Sequence, residues 1–304
     1  MFKSVVCSER REPGALRRRV LRKVDNELAK GNTKSALSLV KQLQGKPGGL
    51  RGFGGAKQVP PRRYSLDELN LDEIDISSLQ PLVKSILKSI EISLQLAELL
   101  SVNSLFCTSP YLPITYCCCQ EVIVQNICVQ HEAGHFLIAY LLGVLPKGYV
   151  VPSVEAMRND ELVGGRVDFV GFEFLRSVRT RNSPKEKIIS GKVGPRVNRV
   201  QVSSKNLNRY SCVAVAGLTA EYLSFGYSEG SFNDVEQLDA LFKSLGFTES
   251  EVDSQIKWAV LNTVLILNRH YDARSKLAEA MSSGRSVGFC IDTIENALED
   301  GKDI

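Results

Sequence analysis

Residues 121–144 read EVIVQNICVQHEAGHFLIAYLLGV, a run without proline that carries His131-Glu132-Ala133-Gly134-His135 at its centre. Apolar residues recur at Val122, Ile123, Ile127, Phe136, Leu137, Tyr140, Leu141 and Val144. The stretch 136–142 is apolar nearly all round, which predicts a buried helix rather than a surface one. Residues four apart share a helix face, so the imidazoles of His131 and His135 can meet at one zinc ion. Glu132 then sits where its carboxylate reaches a water on the metal without being a ligand. Zinc lowers the pKa of such a water from about 15.7 to roughly 7, and the carboxylate takes up the proton.

A bare H-E-x-x-H is short enough to arise by accident. Two observations weigh against accident here. The chain holds only three histidines, and two of them fall at this spacing. A buried helix also has little reason to carry two His and a Glu together, because each unpaired buried polar group costs on the order of 1–3 kcal/mol. A metal offsets that cost. The remaining histidine, His270, lies in the polar stretch Asn268-Arg269-His270-Tyr271-Asp272 and reads as a surface residue.

A zinc site of this kind needs a third protein ligand, and acids able to serve are common. The best candidate follows Val215-Ala216-Gly217-Leu218-Thr219-Ala220-Glu221-Tyr222-Leu223-Ser224-Phe225-Gly226, within Gly230-Ser231-Phe232-Asn233-Asp234. On the residues alone, Asp234 reads equally well as a helix N-cap before Val235-Glu236-Gln237-Leu238. The order HEAGH, then G-x-x-A-E-x-L-x-F-G, then G-x-x-N-D resembles the peptidase domain of the FtsH family of zinc metalloproteases. The resemblance covers roughly residues 120 to 299. It implies zinc held by His131, His135 and Asp234, with Glu132 as catalytic base and Glu221 behind the ligands, orienting one of them. It further implies an endopeptidase acting on unfolded or extended polypeptide, in an FtsH-peptidase-like helical domain.

The departures from that family are as informative. FtsH proteases carry an ATPase module with a G-x-x-x-x-G-K-[ST] phosphate loop, and these 304 residues contain none. The glycine cluster Gly48-Gly49-Leu50-Arg51-Gly52-Phe53-Gly54-Gly55 lacks the Lys-Ser/Thr pair and follows no apolar strand, so it reads as a flexible linker. No run of 18 or more apolar residues occurs, which predicts no transmembrane helix. The sequence is therefore most similar to plant, chloroplast-directed FtsH-like peptidase proteins without the ATPase. That likeness implies a chloroplast location, with stromal-side membrane association as one option, and FtsH-type ATPase subunits as partners. It also leaves open a second role, an inactive scaffold or regulatory protein beside ATPase-bearing proteases. Met1 to Arg22 is Arg-rich but too short and Ser-poor for a whole transit peptide, so that peptide reads as absent or truncated.

Composition fits one catalytic domain plus an appendage, with 43% apolar and 24% charged residues. The net charge of +4 hides an asymmetry: residues 1–63 hold 16 Lys/Arg against 4 Asp/Glu, and the rest holds 22 against 30. A basic segment invites an acidic partner, whether nucleic acid, an anionic membrane or a protein. Aromatics are nearly absent there, which argues against nucleic acid. Leu16, Val20, Val24 and Leu28 predict one helix closed by Gly31-Asn32. Thr33 is expected to cap a second, with Ala36, Leu39, Val40 and Leu43 on one stripe. Together they predict an αα-hairpin at about 13–45 within a basic segment 1–63, followed by a Gly/Pro linker over 46–63.

Residues 64–119 are expected as the acidic-apolar stretch 66–74, an amphipathic helix over 78–101 and a Cys- and Pro-containing connector. Residues 120–304 form the peptidase-like domain, with an insertion near 183–205. Both 101–119 and 183–205 read as loops peculiar to this lineage or as gene-model artefacts. Eight cysteines, three of them contiguous at Cys117-Cys118-Cys119, show no C-x-x-C metal spacing and no disulfide framework. Short β-prone stretches at 149–151 and 166–174 predict a small sheet whose edge could take an extended substrate. Helices are expected over 208–226, 232–245, 249–281 and 287–299. The expected fold class is mainly α with a small β element.

Overall fold

A computed structural model describes residues 14–59, 76–102, 118–153, 155, 164–175, 202–228 and 232–298. The expectations for 1–13, for the Pro60-Pro61 pair and the acidic-apolar stretch, for most of 101–119 and 183–205, and for Gly230 fall outside these residues. The described chain is mainly helical with one small sheet. Its helices are α1 (Ala15–Ala29), α2 (Thr33–Leu43), α3 (Ile76–Val102), α4 (Cys118–Leu141), α5 (Ser204–Ala214), α6 (Ala216–Phe225), α7 (Phe232–Leu245), α8 (Glu249–Arg269), α9 (Tyr271–Ser282) and α10 (Val287–Ala297). Strands β1 (Pro146–Val150) and β2 (Arg166–Phe169) pair antiparallel, with Tyr149 opposite Val167 and an irregularity between Pro146 and Gly148.

Helix α4 is the central element. From His131 to Leu142 every residue is buried, as an apolar-all-round helix requires. It packs against α6 and α9. The α4–α6 crossing is close because small residues face each other there. A Cβ on Gly134 would lie 2.6 Å from the Ala216 carbonyl oxygen and 2.7 Å from the Ala220 methyl. Gly143, at φ 77°, ends the helix in the left-handed conformation that glycine adopts without strain.

The basic hairpin forms, with a corrected face and a corrected cap. Leu21 and Val24 are buried, whereas Leu16 is 60% exposed. Arg17 turns inward instead, donating to Asp292 at 2.6 Å and to Asn296 from α10. That pair rotates α1 so that Leu21, not Leu16, meets the core. Thr33 is the first residue of α2, and Asn32 holds the N-cap position without a side-chain cap bond. The Asn32 amide donates to Glu27 at 3.0 Å, which takes it away from the helix end.

The expected flexible linker is corrected more strongly, because residues 49–59 lie against the helices. Leu50 and Phe53 are buried. Gly54 and Ala56 donate their N–H groups to the carbonyls of Tyr140 and Leu141, at 3.1 and 3.0 Å. These are two of the carbonyls that the end of α4 leaves without helical partners. The glycines permit this close approach: a Cβ on Gly52 would strike Leu298 and Glu295. Further along, Val59 N–H donates to Asn262 and the Trp258 indole N–H donates back to the Val59 carbonyl.

Two expected single helices are each broken once. The 208–226 helix divides at Val215, and the 249–281 helix divides at His270. His270 is 8% exposed and Tyr271 beside it is 58% exposed. The surface assignment of His270 is thus overturned, since the turn points the imidazole inward and its neighbour outward.

Candidate metal centre

The second half of α4 and the first turn of α7 bring three electron-rich atoms together. His131 Nε2 lies 2.9 Å from His135 Nε2 and 3.0 Å from Asp234 Oδ2, and His135 Nε2 lies 3.3 Å from the same oxygen. Asp234 comes from the first turn of α7, 99 residues beyond His135, and it is the only one of the three with appreciable exposure, 28% of its side chain. Among the described residues this is the one group of three or more His, Cys, Asp or Glu donors close enough to share an ion.

The far side of each ring sets which nitrogen faces inward. His135 Nδ1–H donates to the Val213 carbonyl at 2.7 Å, at the break between α5 and α6. A carbonyl can only accept, so Nδ1 carries hydrogen and the neutral ring keeps its lone pair on Nε2. His131 Nδ1–H donates to Glu221 Oε1 at 2.5 Å, with the same consequence. Two lone pairs and a carboxylate oxygen at contact distance repel one another unless a cation lies among them. The choice is a proton or a metal. Ligands about 2.0–2.1 Å from a tetrahedral zinc stand roughly 3.3 Å apart, so the three atoms need little adjustment to bind one.

The charges respond to this crowding. Burial opposes a charged ring at His131, but hydrogen bonds to Asp234 and Glu221 outweigh it and raise its pKa to about 10. His135 is likewise raised, its burial outweighed by the Asp234 charge and hydrogen bond. Burial would raise Asp234, yet the two imidazoles hold it well below the usual carboxylate range. Without a metal, protons do the work of the cation.

Glu132 points elsewhere. It is 4% exposed, and its Oε2 has no hydrogen-bond partner. Burial raises its pKa, against the pull of the two nearby histidines. A buried carboxyl oxygen with no partner costs stability, and such a group beside a metal-ligand set suits a base awaiting a substrate-side proton. The residues present therefore fit a zinc ion.

Of the residues expected at the site, His131, His135 and Asp234 converge, Glu221 backs His131, and Glu132 stands alongside. Sequence reasoning missed four contributors. Val213 offers its carbonyl only because the helix breaks. Gly217 lies against the His131 ring, where a Cβ would overlap it. Its spacing of four from Glu221 was the available signal, since both then face α4. Gly165, at the entry to β2, lies over Glu132 and Cys128: a Cβ there would be 2.6 Å from Glu132 Oε1 and 2.6 Å from Cys128 Sγ. Burial, reinforced by the Glu132 charge, pushes the Cys128 thiol up to about 12, so it stays protonated.

No protein-family model, curated protein or solved structure matches this chain.

Proposed function

We propose that the chain is a zinc-dependent endopeptidase. The observation that carries this reading is the convergence of His131, His135 and Asp234 beside a buried, unpartnered Glu132 oxygen. When bound, zinc would acidify a water and polarise the scissile carbonyl. Glu221 and the Val213 carbonyl hold the two rings with Nε2 inward. Glu132 takes the proton from the attacking water and passes it to the departing amine. Both imidazoles are recessed, so a folded protein could not present a peptide bond to them. The proposed substrate is therefore an unfolded or extended polypeptide, taken up along the edge of β2, just before which Gly165 lies over Glu132. The ordered motifs that resemble FtsH peptidases support the same reading, including a partner unfoldase of that type.

The test is metal analysis paired with cleavage of an unfolded, fluorescently labelled protein. Wild type should carry about one zinc per chain, and Glu132→Gln should keep the metal and lose cleavage. A protein that takes up no zinc would end the proposal. One observation favours the alternative of a metal-stabilised scaffold: the side chains of both histidines are only 9% exposed. Zinc binding without cleavage in wild type would decide for that reading.

A further inference from the structure

The proposed peptidase site leaves the basic hairpin unexplained, and its charges are arranged unlike those of the C-terminal helices. On the C-terminal helices lysines are neutralised within their own helix: Lys243 by Asp239 at 2.7 Å, Lys257 by Asp253 at 2.8 Å and Lys276 by Asp272 at 2.7 Å. On α1 and α2, by contrast, Arg19, Arg22, Lys23, Lys34 and Lys41 are exposed, with no acid among the described residues paired to any of them. The two described acids of the hairpin already have partners of their own. Asp25 accepts from the Ser286 hydroxyl and the Gly288 N–H at the start of α10, both at 2.7 Å. Glu27 is held by Lys30 and Asn32.

The free cations share a continuous surface. Lys23 lines a shallow groove of about 530 Å³ with Glu27, Lys30, Ser35 and Ser38, where Lys30 is paired with Glu27 and Lys23 is the unpaired cation. Ser38 also borders the adjoining groove between Lys34 and Lys41. Leu16 stands three and seven residues before Arg19 and Lys23, so it lies on the same helical stripe and is 60% exposed. An exposed apolar side chain on the same stripe as unpaired cations has nothing to gain from a phosphate backbone. It does gain from an interface where phosphates overlie hydrocarbon. The hairpin also offers no exposed aromatic for base stacking.

We propose that the outer face of the α1–α2 hairpin docks on an anionic lipid bilayer, with Leu16 entering the headgroup boundary and the cations meeting lipid phosphates. This goes beyond the peptidase reading and does not depend on it.

The experiment is co-sedimentation of the full chain with vesicles of phosphatidylcholine alone or of phosphatidylcholine with 30% phosphatidylglycerol (roughly the anionic content that gives a strong surface potential). Binding should occur only to the anionic vesicles and should vanish in high salt, where the Debye length falls to about 3 Å. Each cation removed should weaken partitioning about fivefold, so the combined variant Arg19→Glu, Lys23→Glu and Lys41→Glu should lose more than about 100-fold. Leu16→Ser should weaken binding to the anionic vesicles at low salt. These side chains are exposed, so unchanged circular dichroism and thermal melting would show the variants fold. Equal binding to neutral vesicles, undiminished binding by the triple variant, or tight binding to duplex RNA with none to vesicles would each overturn the proposal.

Discussion

Gly217 and His131 touch so closely that a Cβ on residue 217 would fall on the imidazole, nearest its Nε2, Cε1 and Cδ2 atoms. Helix α6 can press its Glu221 against His131 only because residue 217, one turn earlier on the same face, has no side chain. Gly217→Ala should therefore swing the ring or push α6 away, in either case parting Nε2 from Asp234. Zinc affinity, measured by competition with a chromophoric chelator, should fall at least about tenfold, as disturbed ligand orientation generally costs 10–100-fold. Unchanged affinity would show that the contact does not set the ring.

Behind the ring, Glu221→Ala removes the acceptor of the His131 Nδ1–H bond. Zinc affinity should fall by roughly 10–100-fold, whereas Asp234→Ala should lower it by orders of magnitude. Asp239→Ala, whose carboxylate pairs with Lys243, should leave affinity unchanged. A loss at Asp239 equal to that at Asp234 would refute the ligand assignment.

Proton linkage supplies a further test. In the metal-free chain His131 titrates at about 10 rather than 6.5, so its ring is protonated at neutral pH and a metal must displace that proton. Apparent zinc affinity should rise about tenfold per pH unit between pH 6 and 8 for that proton. Calorimetry in buffers of different ionisation enthalpy should register its release. For stability the sign is opposite: the raised pKa stabilises the metal-free fold fully below about pH 6.5, and that contribution is lost as pH rises through about 10. Metal binding that is indifferent to pH would contradict the geometry.

At the base, Gly165→Ala would drive a methyl into Glu132, whose Oε1 and Cγ lie 2.6 and 2.8 Å from that point. The variant should keep zinc and lose cleavage of an unfolded substrate. Loss of both would mean the strand entry supports the metal site as a whole.

The packed strap 49–59 yields a stability prediction. Glu295 accepts from the Tyr140 hydroxyl at 2.6 Å, Gly52 N–H at 2.7 Å and Arg51 N–H at 2.8 Å. Glu295→Ala leaves buried donors without a partner and should cost about 3 kcal/mol or more in urea denaturation. Lys257→Ala, on an exposed pair, should stay within about 1 kcal/mol. Equal effects would mean that the strap is not anchored through Glu295.

Where a property depends on residues a few positions apart, it could be read from the chain. The 3.6-residue period of 121–144 placed a buried helix, and the i, i+4 spacing put His131 and His135 on one face of it. The same local logic identified the hairpin and most helices to within a few residues, and the motif order singled out Asp234 and Glu221. Spacing alone could not choose between ligand and N-cap for Asp234, because that depends on where α7 lands relative to α4.

Tertiary structure decided the rest, through partners far away in sequence. The break at Val215 and the turn at His270 do not follow from helix propensity. At the first, the Val213 carbonyl accepts from His135. At the second, the chain reverses and buries an imidazole in a polar-looking stretch. Leu16 was displaced from the core by Arg17, whose partners Asp292 and Asn296 lie more than 270 residues away. The glycine-rich stretch looked like a free linker because glycine permits flexibility. Here its missing side chains instead let backbone N–H groups reach the open carbonyls at the end of α4, and only the folded chain brings those carbonyls within reach.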